Sequence, residues 1–149
     1  MYKRELNLIN KYIEQLRLDL KGYKILTEAG TGHFILTPLI PILGGAQHVY
    51  ALAKDNRYGK AKEVKEKLLF LTKKIGVESK LTVYENTIPD VVLSDVDIVT
   101  NSGNLRPLDE HFIKKLNKDC VIPLMYEAWE KRDSDIDFSK CHKKGIKIA

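Results

Sequence analysis

Cysteine is scarce in this sequence: only Cys120 and Cys141 occur, far apart and with no CxxC or paired Cys/His spacing. That excludes a disulfide framework and the usual zinc-binding patterns. A chain of 149 residues can bury a sufficient core without either. A reducing, cytoplasmic setting is therefore expected. Also missing is an apolar run approaching the roughly 20 residues that cross a bilayer. The opening Met1-Tyr2-Lys3-Arg4-Glu5 leads into an amphipathic segment rather than a secretory signal, so no membrane is expected as a partner. Blocks of one charge sign are absent as well. The net charge is +5 and the pI about 9.1, yet lysines alternate with acids, as in residues 60–67, KAKEVKEK. Such interleaving is the pattern of a solvated helix face with i,i+4 pairs, and it argues against nucleic acid. No repeat, low-complexity tract or linker interrupts the chain.

What is present is periodicity. Leu6, Ile9, Ile13, Leu16 and Leu20 recur at steps of three and four before Lys21-Gly22, which predicts an N-terminal helix over residues 6–20 with its stripe buried on the sheet edge or against another subunit. A short apolar run at 23–26 leads to Thr27-Glu28-Ala29-Gly30-Thr31-Gly32, followed by a buried helix within 34–43, where Pro38 and Pro41 favour a start after Pro38. Residues 49–53 form the second strand. Ala61, Val64, Leu68, Leu71 and Ile75 then fall on one helical stripe that ends at Gly76. Further strands are expected near 81–84, 97–101, 120–125 and 146–149. Between them lie helical segments at 88–94, 107–116 and 138–144.

Strands alternating with helices at this spacing predict an α/β fold, a Rossmann-like three-layer αβα sandwich with a mostly parallel sheet. The division expected is an N-terminal helix over 1–22 and a Rossmann-like domain over 23–149. Because residues 146–149 read as an apolar strand directly after a glycine, we expect a longer protein of which this is the N-terminal part.

In open parallel sheets, ligands bind beyond the carboxyl ends of the strands where the strand order reverses. For a Rossmann order the facing loops are 28–33 and 101–104. Glu28, Gly30, Gly32, Asn101 and Gly103 are therefore candidate cofactor-binding residues; glycines there either let backbone approach a ligand or simply make a tight turn. Asp55, Asn56 and Arg57, at the tip of the second strand, read equally as a plain polar loop or as groups for a ribose hydroxyl or a 2′-phosphate. Arg106 is a candidate anion clamp or a surface arginine. His33 has the chemistry of a general acid or base, or packs. Glu127, Glu130 and Arg132 around Trp129 form a cluster suited to a pocket, a subunit contact or core. No catalytic residue and no metal ligand is assigned.

Two resemblances accompany these residues. Residues 26–34, LTEAGTGHF, with Gly45-Ala46, Val49-Tyr50-Ala51 and residues 97–103, DIVTNSG, resemble motifs of class I S-adenosylmethionine-dependent methyltransferases. Phe34 stands at that motif's third glycine, and the acid of the second strand falls at Ala53, with Asp55 two residues on. Residues 95–101, DVDIVTN, followed by 108–116, Val121-Ile122, Asp135-Ile136-Asp137-Phe138 and 144–148, resemble the substrate domain of the D-2-hydroxyacid and alanine dehydrogenase group, in which the last strand leads into a separate NAD-binding domain. The resemblances imply an NAD(P)-dependent dehydrogenase-like protein, with an S-adenosylmethionine methyltransferase as the alternative; a non-catalytic nucleotide-binding or scaffold domain stays open because no nucleophile, metal cluster or acid/base pair is compelling in the sequence. The implied partners are a small-molecule or nucleotide ligand and a second copy or a C-terminal domain.

Overall fold

The computed structural model describes residues 2–126, 128–130, 132 and 134–149. The strands are β1 (Lys24–Glu28), β2 (His48–Ala53), β3 (Leu81–Glu85), β4 (Ile98–Val99), β5 (Val121–Ile122) and β6 (Lys147–Ile148). The helices are α1 (Lys3–Leu16), α2 (Leu39–Leu43), α3 (Ala61–Lys74), α4 (Asp90–Asp95), α5 (Glu110–Lys115) and α6 (Phe138–Lys144). All strand pairs are parallel, in the order β3-β2-β1-β4-β5-β6. The chain starts mid-sheet at β1, runs outward to β3, and returns across α4 to β4 on β1's other side. The order thus reverses between β1 and β4.

Alternation along β1 divides the core. Neighbouring strand residues point to opposite faces, so Ile25 joins Val49, Ala51, Leu68 and Leu71 under α2 and α3. Leu26 joins Leu52, Val99, Ile113, Ile122 and Cys141 under α4, α5 and α6. These are the three layers expected. On α3 the buried side chains are Ala61, Val64, Leu68, Leu71 and Thr72, and Gly76 follows the cap residue Ile75 at φ +72°, a conformation glycine adopts without a Cβ penalty.

Several expected boundaries are corrected. The N-terminal helix stops at Leu16, not Leu20, and none of its residues is fully buried. Residues beyond it are drawn to the loop after α2: the Leu20 N–H donates to the Gly44 carbonyl at 2.9 Å, and Lys21 bridges Ala46. Leu6 and Ile9 pack on the first core in part, while Leu16 is 76% exposed. Residues 34–43 are not one helix, although the helix does start after Pro38 as expected. They split into a 3-10 turn at Gly32–Leu36 and the five-residue α2, for which Pro38 is the cap. The helix expected over 107–116 begins at Glu110, because Asp109 caps it and Leu108 is committed to a parallel bridge with Ile136. The last three strands are two residues each, shorter than expected. Among the described residues no helix is long and apolar enough to cross a membrane.

Candidate functional site

Where the strand order reverses, the loops after β1, β2, β4 and β5 surround a cavity of about 440 Å³. Its floor is polar, from Glu28, Ser102, Asn104 and Arg106; its rim is apolar, from Phe34, Ile40, Tyr58 and Met125. The volume falls within the range of pockets that hold small ligands and cofactors.

The floor is knitted across the switch point. Glu28, buried at the end of β1, accepts the Asn104 N–H through Oε2 at 2.9 Å, and the Asn104 side-chain amide donates to the Ala29 carbonyl at 2.8 Å. Thr27, Thr100 and Ser102 link their hydroxyls in a chain, at 2.9 and 2.8 Å, that ends at the cavity. Arg106 donates through Nε to the Asn101 carbonyl, places Nη1 3.1 Å from Asp135 Oδ2, and lies over the Tyr126 ring. The contact with Asp135 is an ion pair without hydrogen-bond alignment. Asn101 is fully buried. Its Oδ1 accepts the Met125 N–H at 2.6 Å, tying the β4 and β5 loops together, and its Nδ2 has no partner among the described residues.

Close packing explains the glycines better than turn geometry does. A Cβ on Gly30 would lie 2.7 Å from Phe34 Cβ, one on Gly103 would lie 3.2 Å from Glu28 Oε2, and one on Gly59 would meet Thr31 at 2.8 Å. The β1, β2 and β4 loops therefore approach each other through missing side chains. Gly32 is different: it adopts φ +62° with open space around it.

The structure brings Glu28, Gly30 and Gly103 to the cavity lining, with Asn101 bracing it from behind. Gly32, Asp55 and Arg57 lie outside the lining. Asp55 Oδ1 accepts the Ala61 N–H at 2.7 Å at the start of α3, and Lys60 Nζ stands 3.5 Å from Oδ2. That backbone donor, aided by Lys60, holds the Asp55 carboxyl below its ordinary pKa. Arg57 stacks on Tyr58 and donates to its hydroxyl, so it supports a lining residue from outside. His33 faces α1, 3.6 Å from Glu5. Burial pushes the Cys120 thiol up to about 12 and the Cys141 thiol to about 11, which makes both poor nucleophiles at neutral pH. Trp129 is 80% exposed, and Glu127 lies outside the described residues.

Of the three residues expected at the tip of the second strand, Asn56 does line the cavity, while sequence reasoning missed Phe34, Thr37, Ile40, Tyr58 and Met125 there. A signal existed. Phe34 and Tyr58 are large apolar side chains in glycine-bearing loops at strand ends, and they are 64% and 66% exposed.

No family model matches the chain, and no curated protein matches its sequence. Solved structures do match in shape. Shikimate 5-dehydrogenase from Listeria monocytogenes, solved with shikimate and NAD, superposes with a TM-score of 0.64 at 11% identity over 93% of this chain and 49% of that one. This chain has a Rossmann-type fold. The 5-ketofructose reductase of a Gluconobacter strain matches with a TM-score of 0.62 at 14% identity, over 95% of this chain and 50% of its own. Quinate dehydrogenase from Corynebacterium glutamicum, in complex with NAD, gives 0.59 at 11% identity over 94% and 48%. The chain spans about half the length of these structures.

Proposed function

We propose that this chain is the Rossmann-like domain of an NAD(P)-dependent dehydrogenase-like protein and that it holds a nucleotide ligand in the crevice between β1 and β4. The observation that carries the reading is the 440 Å³ cavity at the strand-order reversal, with a polar floor and an aromatic rim. Its residues fit a nucleotide. Gly30 and Gly103 let the β1 and β4 loops close tightly around the cavity, the buried Asn101 Nδ2 behind the floor has no partner among the described residues, and Phe34 and Tyr58 offer faces for a planar ring. When bound, NAD(P) would supply hydride chemistry. The residues of this chain would bind and orient it: Arg106 as the cation of the floor, Phe34, Tyr58 and Met125 as apolar walls that exclude water.

A long helix does not follow the β1 loop, since α2 has five residues. This reading therefore rests on the crevice and not on a glycine-rich phosphate turn. The substrate and the catalytic groups belong to a second domain in the same reading, supported by the half-length match to dehydrogenases. A partner domain or second copy is also supported by Leu8, Tyr12 and Leu16 exposed along α1. A cytoplasmic location goes with two free, buried thiols.

Thermal unfolding with added ligands tests this. A ligand that binds only the folded state at about 100 times its Kd stabilises by roughly 2.7 kcal/mol. NAD⁺ or NADP⁺ should raise the Tm, and S-adenosylhomocysteine should not. The reverse result would move the assignment to a methyltransferase.

A further inference from the structure

Beside the crevice lies a smaller cavity of about 290 Å³, lined by Lys54 after β2, residues 86–88 after β3 and residues 105–107 with Asp109 after β4. Arg106 forms a wall common to both. The lining carries Lys54, Arg106, His111 and Lys115 against one carboxylate, Asp109. That carboxylate is already engaged, because Oδ1 accepts the Phe112 N–H at 2.8 Å to cap α5. Arg106 and Lys115 find their anions outside the lining, in Asp135 at 3.1 Å and Asp90 at 2.7 Å.

Lys54 stands apart from these. It is half-buried and makes no ion pair or side-chain hydrogen bond among the described residues. Burial holds its ammonium below the usual lysine pKa, and no carboxylate among the described residues pairs with it to offset that. A desolvated cation without a partner is costly, and a bound anion removes that cost.

We propose that this cavity is an anion site for a phosphoryl group, with Lys54 as its unpaired cation and His111 and Thr87 as further donors in its lining. A phosphoryl group has three acceptor oxygens and up to two charges, which suits several convergent donors around one cation. The cavity is too roomy for the phosphoryl group alone, so the rest of the molecule occupies it or reaches past Arg106 into the crevice. The group arrives on the crevice nucleotide or on a separate phosphorylated small molecule. Only the first source rests on the nucleotide reading above.

The probes are inorganic phosphate, adenosine 2′,5′-bisphosphate and adenosine 5′-monophosphate, titrated calorimetrically and by NMR of isotopically labelled lysine, with Lys54→Met and Lys54→Arg beside the parent protein. Lys54→Met keeps the aliphatic stem and should fold with an undiminished Tm. Phosphate should raise the Lys54 pKa. The bisphosphate should bind about tenfold more tightly than the monophosphate, a preference lost in Lys54→Met and retained in Lys54→Arg. A phosphate response without that preference assigns the site to a separate phosphorylated molecule. A phosphate response when neither nucleotide binds keeps the anion site and removes the nucleotide reading. A Lys54 signal indifferent to phosphate and bisphosphate alike overturns the proposal.

Discussion

The two halves of the sheet are built differently. β1, β2 and β3 pair over five residues each way, whereas β4, β5 and β6 are joined by one or two register pairs. The first half has a 14-residue helix, α3, along its face; the helices of the second half are six or seven residues long. The second half is held instead by side chains and isolated bridges: Asn101 to the Met125 N–H, Arg106 to Asp135, Leu108 beside Ile136. Strands β4 and β5 end early because the chain turns into loops that form the crevice. The ladder-rich half is thus a platform, and the ligand site lies at its seam with the loop-rich half.

Core truncations should break this contrast most strongly. Leu68 under α3 and Ile122 on β5 are both fully buried, and replacing either by alanine should cost about 2–5 kcal/mol in chemical denaturation. They should differ in where protection is lost. Hydrogen exchange should show Leu68→Ala weakening the whole sheet, and Ile122→Ala opening β4 to β6 while β1 to β3 stay protected. Equal loss across both halves in both variants would remove the distinction.

Next in size is Gly30→Ala, at the seam itself. Its Cβ would sit 2.7 Å from Phe34 Cβ, an overpacking expected to cost about 1–3 kcal/mol and to displace the aromatic rim. Thermal melts and near-ultraviolet circular dichroism report both effects. Asn101→Ala follows. It removes the acceptor for the Met125 N–H, and because Met125 is half exposed, water takes over and the loss should be about 0.5–1.5 kcal/mol. The change should appear in amide signals of the β5 loop and leave β2 and β3 untouched.

The smallest effect lies in the first half and depends on pH. The folded state holds the Asp55 carboxyl below its ordinary value of 3.8, through the Ala61 N–H first and Lys60 second. Its contribution is therefore complete above that value and disappears as the pH falls through the lower, folded one. Asp55→Asn should flatten this part of the acid-denaturation curve in Tm measurements.

How much of this was legible differs between the halves in the same way. Alternation and the Ala61-to-Leu71 stripe announce β2, β3 and α3, because burial there follows a local period. Glycine placement and the strand-end rule bring loops 28–33 and 101–104 to opposite sides of one crevice, as Glu28 bonding to Asn104 shows. Strands β4 and β5 read as longer because Thr100, Asn101 and residues 123–125 are compatible with extended chain, while the tertiary bond from the Met125 N–H to Asn101 ties their ends into the crevice loops. Tyr58, Phe34 and Met125 escaped for a related reason. Their place in the lining depends on which loops meet, and that is decided by contacts between residues far apart in sequence. Asp55 has a structural task that local sequence does not announce: an acid at a strand tip reads as a ribose ligand or a plain polar loop, and its Oδ1 accepts the Ala61 N–H at the start of α3.

The central claim, a nucleotide ligand in the β1–β4 crevice, is tested most directly by following backbone amide shifts during titration with NAD⁺ and NADP⁺. The account predicts saturable changes at Thr31, Asn56, Gly103 and Asn104, with α1 and the outer face of α3 unmoved. Unchanged crevice amides at saturating dinucleotide, or changes confined to the cleft between Tyr2 and Phe70, would contradict it.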